Sequence, residues 1–211
     1  MPHETDFLHP ATYVEAAKQM QSTGWGKLDF FTTGEAERTA SLVDAAIGSG
    51  VQVLPSARDA FRALQLVQPD DVRAVILGQD PYPTPGDAHG LAFSVASPDR
   101  RIPPSLKTIF ASLNADLGIA APAHGNLVNW ARAGVLLLNV TLSVEAGKAN
   151  SHRHIGWARL SSQILDHLNE HASPIVFMLW GNFAQQAGAR LDDRRHCAAW
   201  IPGQHVDAVT R

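Results

Sequence analysis

Three short runs of nearly unbroken apolar residues constrain this chain most: "VRAVIL" from Val72 to Leu77, "GVLLLN" from Gly134 to Asn139 and "PIVFML" from Pro174 to Leu179. Apolar side chains at successive positions suit strands covered on both faces, as in a parallel sheet between helices. Helical patterns separate the runs. "PSLKTIFASLNADL" covers Pro104 to Leu117, and "HIGWARLSSQILDHLNEH" covers His154 to His171, with Leu160, Ile164 and Leu168 on one face. Strands alternating with helices predict an α/β fold, a three-layer αβα sandwich around a short parallel sheet. With 211 residues, of which 45% are hydrophobic and 18% charged, one core is expected, hence a single domain over residues 1–211. The first ~20 residues carry few core signals and are expected to be loosely attached.

In such sheets a site forms beyond the carboxyl ends of the strands. All three runs deliver unusual residues there: Gly78-Gln79-Asp80, Asn139, and Trp180-Gly181-Asn182. The first run opens into "LGQDPYPTPGDAHGLAFS", Leu77 to Ser94, where prolines and a return to apolar residues argue for a rigid loop. Asp80, directed by the following Pro81, either orients a water beside a developing cation or caps its own turn. Tyr82 and Phe93 bracket the loop, either as a slot for a planar ligand or as core filling beneath it. Asn139 can read an amide edge or satisfy neighbouring backbone. Ser105, in "RIPPSLKTI", either holds a phosphate at a helix start or marks an ordinary helix N-terminus.

Other chemistries fit less well. "HLNEH", His167 to His171, has the His-x-x-Glu-His spacing of one zinc peptidase class, but no glutamate follows Glu170 to complete the ligands. The chain has no Gly-Lys-Ser/Thr loop and no Gly-x-Gly-x-x-Gly. A net charge of −3 supplies no global attraction to phosphate polymers, so any nucleic-acid binding must rest on local surfaces. The single cysteine, Cys197, allows no internal disulfide; with neither an apolar span nor a signal-like start, a cytoplasmic location is expected.

Together the segments resemble the uracil-DNA glycosylases of family 1. The signature block corresponds to "GQDPYPTPGDAHGLAFS", the base-reading strand to "GVLLLN" with "LSVEAGKANSH" behind it, the proline-rich loop to "IPPSLKTI", and the Gly-Ser loop to "MLWGN". The resemblance runs from about Gly24 to His196. It implies that Asp80 positions the hydrolytic water and supports a cationic sugar, with Gln79 contributing backbone contacts. Tyr82 would occupy the space of a thymine methyl, Phe93 would stack on uracil and Asn139 would read its amide edge. Ser105 and Asn182 would hold DNA phosphate, and His152 would lie near the pocket. The implied activity is hydrolysis of the N-glycosidic bond of uracil in DNA, the first step of base excision repair. It needs no metal or cofactor, because the leaving group is a stabilised anion and the nucleophile is water. The working form implied is a monomer on uracil-containing DNA.

The sequence departs from the family at three places. Pro83 replaces the histidine of "GQDPYH", and Asn182 replaces the serine of the Gly-Ser loop. After His196 the family has a fourth strand and a "HPSPLS" loop, whereas this sequence reads "CAAWIPGQHVDAVTR". His205 there is not in the motif's setting and is assigned no catalytic role. The resemblance implies a four-stranded parallel sheet, of which only three strands are legible in these residues; with the fourth missing, the edge of "PIVFML" would be exposed. The alternative to an active enzyme is a catalytically impaired uracil- or DNA-binding protein, and single-stranded DNA is the preferred substrate on either reading.

Overall fold

The structure, a computed structural model, describes residues 9–170, 173–180, 186, 189, 191 and 197–201, the last five as backbone alone. In chain order the elements are α1 (Tyr13–Met20), α2 (Asp29–Thr32), α3 (Glu35–Gly48), β1 (Val53–Leu54), α4 (Arg62–Leu66), β2 (Ala74–Gly78), α5 (Pro104–Leu117), α6 (Val128–Arg132), β3 (Val135–Asn139), β4 (Val144–Glu145), α7 (Trp157–Asn169), β5 (Val176–Trp180) and β6 (Cys197–Ile201). β2, β3, β5 and β6 form a parallel sheet in the order β3-β2-β5-β6. β1 and β4 make a separate antiparallel pair.

The three expected strands are present, each starting one or two residues later than the apolar run. Gly134 is left behind because its backbone turns at φ 92° and its carbonyl accepts from the N–H groups of Arg73 and Ala74. Pro174 has no N–H to give a ladder. Val75, Leu77, Leu136, Leu137, Leu138, Phe177 and Leu179 are fully buried. At about 1.5–3 kcal/mol for each large apolar side chain removed from water, these residues explain why the runs are so uniformly apolar.

Three expectations need correction. The fourth strand implied by the resemblance is present as β6, which pairs with β5 from Val176↔Cys197 to Trp180↔Ile201, so the edge of "PIVFML" is covered rather than exposed. "CAAWI" is only five residues long and merges into an unfamiliar tail, which hid it. From Thr12 onward the N-terminal segment is docked rather than loose. Thr12 caps α1 by accepting from the Glu15 N–H at 3.1 Å, and Tyr13, Ala16, Ala17 and Met20 are buried in the common core. Alanine in that stripe gives little periodic signal. Finally, α7 begins at Trp157 instead of His154, because Gly156 sits at φ 125° and a side chain there would strike Thr39. Leu160, Ile164 and Leu168 do line its buried face.

The connection after β2 leads to β3 on one side, and that after β5 leads to β6 on the other. The carboxyl ends of β2 and β5 therefore flank the crevice where ligands bind in open parallel sheets. No helix among the described residues is long and apolar enough to cross a membrane.

Candidate active site

At the carboxyl ends of β2 and β3 lies a cavity of about 200 Å³, whose lining includes Gln79, Asp80, Tyr82, Phe93, Ser105 and Asn139. That volume is below the roughly 300–1,000 Å³ of sites for drug-sized ligands and suits one heterocyclic base.

Gly78 and Asn139 end β2 and β3 as register partners. A Cβ on Gly78 would collide with Asn139 Oδ1 and press on Ala92 and Phe93, so glycine is what lets the Asn139 side chain lie across the strand end. Asn139 is buried, and its amide makes no hydrogen bond among the described residues. The Gly78 and Gln79 carbonyls accept from the N–H groups of Val140 and Thr141, which locks the two strand exits together.

The Asp80 carboxylate does not cap its own turn. Oδ2 accepts from the backbone N–H of Asn150 at 2.7 Å, across 70 residues of sequence. Burial raises the carboxyl above the usual aspartate range, and the Asn150 N–H partly opposes that shift. The Gln79 side-chain amide donates to Asn150 Oδ1.

Tyr82 and Phe93 meet directly. The Tyr82 phenol donates to the Phe93 carbonyl at 3.0 Å, and Ser105 Oγ lies 3.0 Å from the same phenol oxygen. Because the phenol has one proton, the Ser105 hydroxyl is the donor in the second bond. Burial pushes the Tyr82 pKa up to about 12, with the Ser105 bond opposing and the Asp87 charge assisting, so the phenol stays protonated. Phe93 holds φ 63°, an uncommon backbone state for an aromatic residue, and its ring packs edge-on against Trp180 at 5.3 Å and 63°. Ser105 occupies the first turn of α5 behind Pro104.

Four residues the sequence reading assigned no role complete the site. His89 is buried between Arg62, whose Nη1 lies 3.0 Å from Nδ1, and Ser94, whose Oγ lies 2.7 Å from Nε2. Arginine only donates, so Nδ1 accepts and the neutral ring carries its proton on Nε2. Burial and the Arg62 charge lower the His89 pKa to about 4. Ser94 Oγ also accepts from the Leu127 N–H at 2.8 Å, which anchors the return of the loop. Asn150, at φ 62°, is the fourth. The signals were present in "AHG" and "NSH", but Arg62 lies 27 residues from His89, and Gln79 and Asp80 lie 71 and 70 residues from Asn150.

His152 does not line the cavity. It is buried with Nδ1 2.8 Å from Ser143 Oγ, which also accepts from Trp157 Nε1, and burial lowers its pKa. Its link to the site runs through Asn150, two residues away. In "HLNEH", His167 is exposed and edge-on to Trp25. His171, Asn182 and His205 lie outside the described residues.

A carboxylate, two facing aromatic side chains and a buried amide thus line one cavity at the carboxyl edge of an α/β sheet. Residues 64–209 match the sequence profile of the uracil DNA glycosylase superfamily. The chain is 53% identical over 148 residues to the uracil-DNA glycosylase of Bacillus velezensis, covering 70% of this chain and 65% of that one. It is 50% identical over 148 residues to that of Coxiella burnetii, with 70% and 65% covered. The chain thus spans just under two thirds of the length of these curated relatives. Among solved structures, the crystal structure of mimivirus uracil-DNA glycosylase superposes with a TM-score of 0.76 at 23% identity, covering 93% of this chain and 76% of that one. The chain belongs to the uracil DNA glycosylase superfamily.

Proposed function

We propose that this protein hydrolyses the bond between uracil and deoxyribose in DNA, and that it acts as a monomer, in the opening step of base excision repair. The observation that carries the proposal is the convergence of Asp80, Tyr82, Phe93 and Asn139 on one base-sized cavity at the carboxyl edge of the sheet. The identity to bacterial uracil-DNA glycosylases supports the same reading.

In the proposed step the C1′–N1 bond breaks, its electron pair leaves with uracil, and positive charge develops on the sugar. A water oxygen, oriented by Asp80, forms the new bond to C1′ and loses its proton to the carboxylate. Phe93 stacks on the extruded base, Tyr82 excludes a 5-methyl group, Asn139 reads the amide edge and Gln79 contributes its backbone. Ser105 and Asn182 are assigned to flanking phosphates, Ser105 by turning its hydroxyl from Tyr82 to the incoming oxygen. His152 supports the turn behind Asp80. Taking a base out of a duplex costs a few kcal/mol and least in a single strand, so single-stranded DNA is the better substrate.

Single-turnover release of uracil from an oligonucleotide carrying one deoxyuridine, single-stranded and then duplex, tests the proposal. Release from neither by the folded protein, with uracil-DNA still bound, would support the impaired alternative instead.

A further inference from the structure

We infer that Asn150, gripped at its side chain by Gln79 and at its backbone N–H by Asp80, is the positioning residue that fixes the Asp80 carboxylate for attack. The inference rests on the proposed function.

Two consecutive residues at the exit of β2 hold one residue of a distant turn from two sides. Gln79 takes the Asn150 side-chain carbonyl, and Asp80 takes its N–H at 2.7 Å. A carboxylate on a broad, two-fold terminal torsion has little intrinsic preference for one plane, so an N–H aimed at one oxygen supplies the orientation. That N–H is available because Asn150 lies at φ 62°, where asparagine is tolerated far better than most side chains. The turn is fixed from outside the grip as well. The Gly147 N–H donates to the Pro83 carbonyl at 2.8 Å, and the Glu145 N–H donates to Ser151 Oγ at 2.8 Å.

A turn stabilised only for its own sake would not need a bond to the carboxylate proposed to act. Among the described residues no charge tethers Asp80: burial raises its carboxyl and this N–H opposes the rise, whereas Glu145 on the same turn is held first by Lys148 and less by His152. Cleavage requires a charged Asp80, and an N–H donor favours that form. Losing it moves the acid limb of the rate profile to higher pH.

The test measures single-turnover uracil release, the Kd for uracil-containing DNA and the pH profile of wild type, Asp80→Asn, Asn150→Ala, Asn150→Gly and Gln79→Leu. Alanine strains the left-handed backbone, whereas glycine accepts it and keeps the N–H. Asn150→Ala is expected to lose roughly 10- to 100-fold in rate, as for a misplaced reacting group, with Kd little changed and the acid limb raised. Asn150→Gly should lose less than alanine, and Gln79→Leu should fall in the same direction. If Asn150→Ala does not fold, the glycine and leucine variants carry the comparison. The inference is overturned if these variants keep the wild-type rate and limb, or lose rate with no movement of the limb, while Asp80→Asn is impaired. An unimpaired Asp80→Asn would instead remove the proposed function itself.

Discussion

Gly78 faces Asn139 across parallel strands β2 and β3, and the space a Cβ would need is already filled by the Asn139 side-chain oxygen. The smallest substitution at one strand end therefore moves the amide at the other. Gly78→Ala is expected to cost about 1–3 kcal/mol of stability through overpacking, and roughly 10²-fold in uracil release by displacing the reading amide. Denaturant unfolding and kcat/KM together check this. A folded variant with full rate would mean that the amide is not poised where the cavity needs it.

Asp80→Asn should lower uracil release by roughly 10²–10⁴, the range for a positioned acid or base. It should not destabilise the fold. Burial raises the folded-state pKa, so the native state holds its proton more tightly than the unfolded chain, and this contribution is lost as pH rises through the folded value. At neutral pH the charged group is a burden that asparagine removes. Melting at pH 7 should occur at the same or a higher temperature in the variant, and a clear fall would contradict that account.

Tyr82→Ala should admit thymine, because the phenol fills space beside the proposed base. Tyr82→Phe should keep the exclusion yet lose the bonds to Phe93 and Ser105. Asn139→Asp should relax discrimination toward cytosine by changing a donor into an acceptor. Release of each base from matched oligonucleotides decides this. Strict uracil preference in folded Tyr82→Ala and Asn139→Asp would mean that these two side chains do not select the base.

His89 predicts an acid sensitivity. Its folded pKa of about 4 lies below the ordinary histidine value, so its contribution is complete above about pH 6.5 and is lost as pH falls toward 4. The shift corresponds to at most about 3 kcal/mol at about 1.4 kcal/mol per pH unit. His89→Gln should lose stability at pH 7, where Arg62 and Ser94 lose fitted partners, but should fall less between pH 7 and 4.5. Unfolding free energies at those two pH values measure the difference, and parallel curves for variant and wild type would count against it.

The parallel sheet was legible because strands buried on both faces must be apolar at every position, a pattern that survives without knowledge of partners. The ends of those strands were legible for the complementary reason: Asp80, Asn139 and the loop to Ser94 interrupt apolar runs with residues that a buried strand excludes. The N-terminal helix was not legible, since alanines carry its buried stripe. The fourth strand was not either, because a five-residue segment is recognised by the neighbour it pairs with, here β5.

The sequence by itself determined the strand and helix periods, the rigidity of Leu77 to Ser94 and the chemical kinds of side chain at the sheet's carboxyl edge, since each follows from local covalent and hydrophobic properties. Only the tertiary structure decided that Asp80 bonds to Asn150 rather than to its own turn, that Tyr82 closes onto Phe93, and that His89 is a neutral strut between Arg62 and Ser94. Those pairings join residues 70, 11, 27 and 5 positions apart. Hydrogen bonds are directional and short-ranged, so which donor meets which acceptor is fixed when the elements pack, and a linear pattern of side chains does not encode it.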